Sequence, residues 1–113
     1  ATVLAPRPGA SMPVYFAKGQ ATLDANGETA VRMAAASTMG IGTALTVTGY
    51  ADASGSAAAN VELAKRRALA VRDALVAAGI QSQRVRLAAP ASVTGGAGGS
   101  DDKARRVDIV VTQ

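Results

Sequence analysis

The chain contains no cysteine, no histidine and no tryptophan. Without cysteine there is no disulfide and no thiol nucleophile; without histidine there is no Cys/His zinc site and no imidazole base. The missing cysteines leave the redox compartment open, since cytosolic and exported domains alike can lack them. Aromatic residues are scarce: Tyr15, Phe16 and Tyr50 are the only three. Hydrophobic residues make up 49% of the 113, but 27 of them are alanine, which leaves 28 with a larger side chain. Each buried CH2 contributes about 0.8 kcal/mol, so a core of valine and leucine with so few rings is thin. The length fits one domain, and the composition excludes a large enzyme with a deep aromatic pocket. Disorder is excluded as well, because only 18% of residues are charged and apolar positions recur in regular patterns.

Twelve Lys and Arg against eight Asp and Glu give a net charge of +4. That excess favours anionic partners without being a nucleic-acid signature. Ala1–Pro13 has neither the basic start nor the apolar run that would mark a signal peptide. With Pro6 and Pro8, and Pro13 just after, residues 1–12 read as a linker, and residues 13–113 as the domain. The start at Ala1 is read as the processed edge or fragment of something larger. Met33 to Ala51 runs 19 residues without a charge, close to a spanning length. Its three glycines and the period-two alternation Leu45-Thr46-Val47-Thr48 argue a half-buried strand instead.

The pattern predicts a short strand at Val14-Tyr15-Phe16, then a helix from Glu28 to Met39 with Asp24 as N-cap and Ala30, Val31, Ala34, Ala35 and Thr38 on one side. Ala44 to Gly49 is the second strand, and Tyr50 to Ser56 a loop. A long helix follows, from about Ala57 to Ala78, ended by Gly79. Val85 and Leu87 mark a third strand, with Arg84 and Arg86 on its other face. Ala91 to Lys103 reads as a Gly/Ser/Asp-rich loop, and Val107, Ile109 and Val111 as the last strand. The order β-α-β-α-β-β implies an α+β two-layer sandwich with two main helices on one face of a small mixed sheet.

On a helical wheel, Ala64, Ala68, Val71, Leu75 and Ala78 share one narrow arc, the side facing the sheet. Asn60 and Arg67 sit at its edge, whereas Lys65 and Arg66 point away. Glu62, four residues before Arg66, suits a solvated ion pair. Arg67 therefore lies at the rim between helix and sheet, near the loop that opens with Asp52. A carboxylate and a guanidinium converging there can hold a zwitterion, the Asp taking an ammonium group and the Arg fork a carboxylate. The same residues also suit a turn-forming Asp and a structural rim Arg.

The stretch Gly49-Tyr50-Ala51-Asp52, followed by Asn60, Leu63, Arg67, Ala68, Val71 and Leu75, resembles the signature of the OmpA-like peptidoglycan-binding domain. Val14-Tyr15-Phe16, Gly79-Ile80 and Arg105-Arg106-Val107-Asp108-Ile109 are similar to the family in the same order, over about Pro13 to Thr112. The resemblance implies non-covalent binding of bacterial peptidoglycan through the diaminopimelate of its stem peptide. It implies Asp52 and Arg67 as the principal ligands, Asn60 and Ser54 lining the pocket, and Arg105 helping from the last strand. Tyr15 and Phe16 are read as core or sheet-face residues. Where the family carries an acidic residue after the first strand, a Thr before the Asp, a helix Ser and an Asn before the Arg pair, this chain has Ala17, Ala51, Ala64 and Ala104. That alanine enrichment motivates an alternative, an OmpA-like scaffold or protein-interaction domain that has lost or altered its ligand.

Other chemistry is set aside. Gly95 to Ser100 is not followed by the Lys and Ser/Thr of a phosphate loop, and Gly40-Ile41-Gly42 lacks a third glycine. Asp101-Asp102 reads as solvated rather than metal-binding. Lys65-Arg66-Arg67 has no aromatic stacking platform, so no nucleic-acid partner is expected. No enzymatic activity, cofactor or metal is expected. The location implied is periplasmic, associated with the outer membrane only through a part preceding Ala1, and a homodimer stays compatible with the sequence.

Overall fold

The computed structural model describes residues 11–17, 19–38, 44–52, 57–93 and 105–112. It contains β1 (Ser11–Tyr15), α1 (Ala25–Thr38), β2 (Ala44–Asp52), α2 (Ala57–Ala77), a 3-10 turn (Ser82–Arg84), β3 (Val85–Leu87), β4 (Ala91–Val93) and β5 (Arg106–Thr112). The expected α+β architecture is the observed one, two helices on one face of a mixed sheet.

The sheet runs β1-β5-β2-β3, with β4 also paired to β2. β5 lies antiparallel to both β1 and β2, with Val14 opposite Val107 and Val47 opposite Ile109. β3 and β4 run parallel to β2, Leu45 opposite Val85 and Tyr50 opposite Ala91. The offset between partners grows by one residue from β3 to β4, so a bulge at residues 88–90 splits what is in effect one edge. Alternation carries the core: Val14, Leu45, Val47, Val107, Ile109 and Val111 are buried on the helix side, joined by Val31, Ala34 and Ala35 of α1 and Ala68, Val71 and Leu75 of α2.

Local chemistry sets the element ends. The Asp24 carboxylate accepts a hydrogen bond from the Gly27 N–H at 2.8 Å, so α1 starts at Ala25, three residues before the expected Glu28. At the end of α2, the Gly79 N–H donates to Val76 O and the Ile80 N–H to Leu75 O, and Gly79 takes φ +110°. This is a Schellman closure, with Ile80 and Leu75 both buried beside it.

Besides the earlier start of α1, three strand assignments and one side chain differ from expectation. β1 starts at Ser11 because Ser11 and Met12 pair with Val110 and Ile109; Pro13 is tolerated because β1 is an edge strand. β2 continues through Tyr50, Ala51 and Asp52, which the sequence reading assigned to a loop, because β4 pairs with them. Ala91–Val93 is that strand, although flanking Pro90 and Gly95 disguise it as loop. Helix α1 is described to Thr38, and the expected end at Met39 lies outside the described residues. Arg84 belongs to the 3-10 turn, and its Nη2 donates to Thr38 O at 2.8 Å, capping the last carbonyl of α1. Of the uncharged stretch from Met33 to Ala51, residues 33–38 belong to α1 and 44–51 to β2, and no described helix is long and apolar enough to cross a membrane.

The height of α2 above the sheet is set at one point. A Cβ placed on Gly49 would overlap the Ala64 carbonyl, and Ala64 itself is fully buried. We expect Gly49→Ala to force the two elements apart and destabilise the domain by about 3 kcal/mol, read as a lowered urea midpoint at unchanged m-value.

Candidate functional site

Residue 67 follows Ala64 by three positions, so it inherits the close approach of α2 to β2. Arg67 is 3% exposed, deeper than the rim position that the helical wheel implies, while Lys65 and Arg66 are exposed as expected. Its Nε donates to Gln20 O at 2.7 Å and its Nη2 to Ala17 O at 3.2 Å. The guanidinium carbon lies 5.5 Å from the Phe16 ring centroid, within cation–π range. Burial, and then the nearby charge of Arg105, pull its pKa below the usual arginine value. Arginine starts so high that it stays charged at any physiological pH.

A guanidinium has five N–H donors, and the two described bonds use two of them. Among the described residues no carboxylate pairs with Arg67. A buried cation whose charge is met only by carbonyl oxygens and a ring face is incompletely compensated. An incoming carboxylate would complete it.

Arg105 contacts the same segment from a 3-10 turn just before β5, not from the last strand itself as expected. Its Nε donates to Phe16 O at 3.3 Å, and the Phe16 N–H donates back to Arg105 O at 2.8 Å. The adjacent Arg106 points elsewhere. Its Nε lies 3.0 Å from Asp108 Oδ1, and its guanidinium stacks 4.1 Å from the Tyr50 ring centroid. Burial opposes the charge of Arg106, but hydrogen bonds and attraction from Asp108 and Tyr50 outweigh it, so its pKa is raised.

The other expected residues are distributed as follows. Asp52 is the last residue of β2, with its backbone opposite Val93. It lies three residues beyond the Gly49–Val107 pair, at the end of the sheet where β5 begins. Asn60 is half-buried near the start of α2. Ser54 and Ala104 lie outside the described residues. Arg67 and Arg105 are therefore brought together on residues 16–20. What sequence reasoning missed is the backbone: the carbonyls of Ala17 and Gln20 hold Arg67, and a carbonyl has no sequence signature. Ala17, notable in sequence only for a missing carboxylate, supplies an acceptor through its main chain. Phe16 is a core residue, as read, and its ring also underlies the guanidinium.

The sequence matches the model of the OmpA family over residues 15–108. No curated protein matches it. Among solved structures, the OmpA-like domain of FopA1 from Francisella tularensis subsp. tularensis SCHU S4 is 26% identical with a TM-score of 0.77, covering 90% of this chain and 71% of that one. The peptidoglycan-associated lipoprotein from Burkholderia pseudomallei is 22% identical with a TM-score of 0.74, covering 89% and 90%. The C-terminal domain of Helicobacter pylori MotB is 18% identical with a TM-score of 0.70, covering 89% and 84%. The last two likenesses concern the fold alone.

Removing the Arg67 side chain takes the described donor from Gln20 O and the second of two donors from Ala17 O, which keeps the Gln20 N–H. A part-buried carbonyl left without a partner costs about 1–3 kcal/mol, and the packing of the guanidinium on Phe16 is lost as well. Arg67→Ala should therefore lower stability by about 3 kcal/mol, and Arg67→Lys, which cannot span both carbonyls with a planar fork, should restore only part of it. Paired thermal and urea denaturation of the two variants checks this; an unperturbed Arg67→Ala melt would show that the carbonyl contacts contribute nothing.

Proposed function

The chain belongs to the OmpA family, and from that premise we propose that it is a non-catalytic module that binds bacterial peptidoglycan. Domains of this family generally bind that polymer. The observation that carries the proposal is the buried Arg67, with three N–H donors unmatched by described residues and no carboxylate partner among them. The ligand group proposed is the zwitterionic end of a stem-peptide diaminopimelate. Its carboxylate would take the free edge of Arg67, a charge-assisted and directional pairing. Asp52 would take the ammonium group, with Asn60, Ser54 and Arg105 completing the pocket. Arg105 adds positive charge near the carboxylate and steadies the 16–20 segment through Phe16 O. The setting proposed is the periplasmic face of the envelope, where the module would tether a larger protein to the wall.

One observation favours a second reading, a scaffold that keeps the fold without the ligand. Arg67 is already committed to Ala17 and Gln20, so its presence has a structural explanation of its own. Ala17 and Ala64 stand where the resemblance expects polar partners, and Ala64 is spent on the contact with Gly49.

Lysine and diaminopimelate differ by one carboxylate, which allows a direct test. Stem peptides carrying each residue, titrated against the labelled domain, should differ by roughly tenfold or more in affinity, since a hydrogen bond to a charged group contributes about 1.5–3 kcal/mol. Amide shifts should cluster at Asp52, Asn60 and Arg67. Asp52→Ala should abolish cosedimentation with purified sacculi while leaving the melting temperature within a few degrees of wild type. Equal affinity for the two peptides would remove Arg67 from the carboxylate site, and the absence of binding to either would favour the scaffold.

A further inference from the structure

A second surface lies away from the Arg67 site, along the open edge formed by β3. Leu69 and Val76, seven residues apart on α2, are 38% and 40% exposed, and Leu87 of β3 is 43% exposed. Two clefts meet at Leu87. One, of about 430 Å³, is lined by Arg72, Asp73, Val76, Ser82 and Val85 as well. The other, of about 180 Å³, includes Lys65, Leu69 and Pro90. Large apolar side chains are thus left facing solvent beside a strand edge.

The backbone of that edge is available. Ala88 N–H donates to Val47 O, and Leu87 is the register partner of Val47. In a parallel ladder this geometry turns the N–H and C=O of Leu87 away from β2, where no described strand meets them. Unpaired groups on an edge strand are a template for another strand. The pleat then specifies the side chains of an incoming segment. Residues on the Leu87 side would enter the apolar cleft, while residues of alternate parity would lie beside Arg86, on the opposite face. Arg86 is exposed and has no partner among the described residues. The charges bordering the edge, Lys65, Arg72 and Arg86 against Asp73, are three cations to one carboxylate, and Arg72 and Asp73 already pair with each other.

We propose that the β3 edge is a docking site for an extended peptide segment of another protein in which acidic and apolar residues alternate, added as a further strand. A second copy of this chain is the less suitable occupant. Antiparallel pairing of β3 with itself about its centre sets Arg86 directly opposite Arg86, and like charges so placed are destabilising. The proposal is independent of peptidoglycan binding, because it uses none of the residues assigned to that pocket.

The probe is a blocked hexapeptide of alternating glutamate and valine, titrated into labelled protein at low salt. Saturable amide shifts confined to residues 69–76 and 85–88 are expected. Arg86→Glu should weaken this binding by about tenfold or more and confer binding of the matching lysine–valine peptide, a charge swap that a disrupted fold would not produce. Leu87→Asp, at an exposed position, should abolish binding of the glutamate peptide while the melting transition stays cooperative. No saturation at millimolar peptide, or equal binding of the glutamate and lysine peptides by the wild type, overturns the proposal. So does reversible self-association of the wild-type chain that Leu87→Asp removes, since the edge would then belong to a second copy.

Discussion

Helix α2 rests on β2 at Gly49, where the Ala64 carbonyl occupies the space a side chain would need. That contact sets the distance between the two layers, and much of the molecule follows from it. With the helix held this low, Val71 and Leu75 reach the core beside Leu45, Val47 and Ile109, and a core short of aromatic rings still closes. Three residues beyond the contact, the same low position brings the Arg67 side chain down to the carbonyls of Ala17 and Gln20. A bulkier residue at either 49 or 64 would lift the helix and pull the guanidinium off both acceptors.

The abundance of alanine therefore has two consequences. It thins the core, since each missing methylene forgoes part of the burial free energy. It also permits the close packing of helix on sheet that makes a buried arginine reachable by backbone oxygens. The carboxylates that would otherwise accompany such a cation are absent from the described surroundings, and main-chain carbonyls with one aromatic face take their place. Carbonyl oxygens solvate a guanidinium without neutralising it, which leaves the site with a positive charge still to be answered.

Pairs of neighbouring arginines show how geometry divides identical chemistry. Arg66 and Arg67 are separated by about 100° of helical turn, so one meets water and the other the sheet. Arg105 and Arg106 diverge where a 3-10 turn gives way to β5; one returns to Phe16 O and the other lies over Tyr50 beside Asp108. The first division was legible from the wheel, although the depth of Arg67 was not, because periodicity gives direction and not distance. The second was not separable by local pattern, where Arg105 and Arg106 differ only by one position, and only the family resemblance singled out Arg105.

Periodicity and caps determined the elements of this protein: the buried arcs of α1 and α2, the Asp24 cap, the Gly79 closure and the alternating strands are all local patterns. The ordered motif around Asp52 and Arg67 likewise identified the family from the chain alone. The extension of β2 to Asp52 and the short β4 beside it were decided by tertiary pairing, since three residues after a proline carry too weak a local signal to declare a strand. The acceptors of Arg67, the cap that Arg84 provides to α1, and the edge at Leu87 that no described strand pairs were likewise decided only in three dimensions. Each depends on a backbone group of one element meeting a group far away in sequence, and backbone groups are the same at every residue.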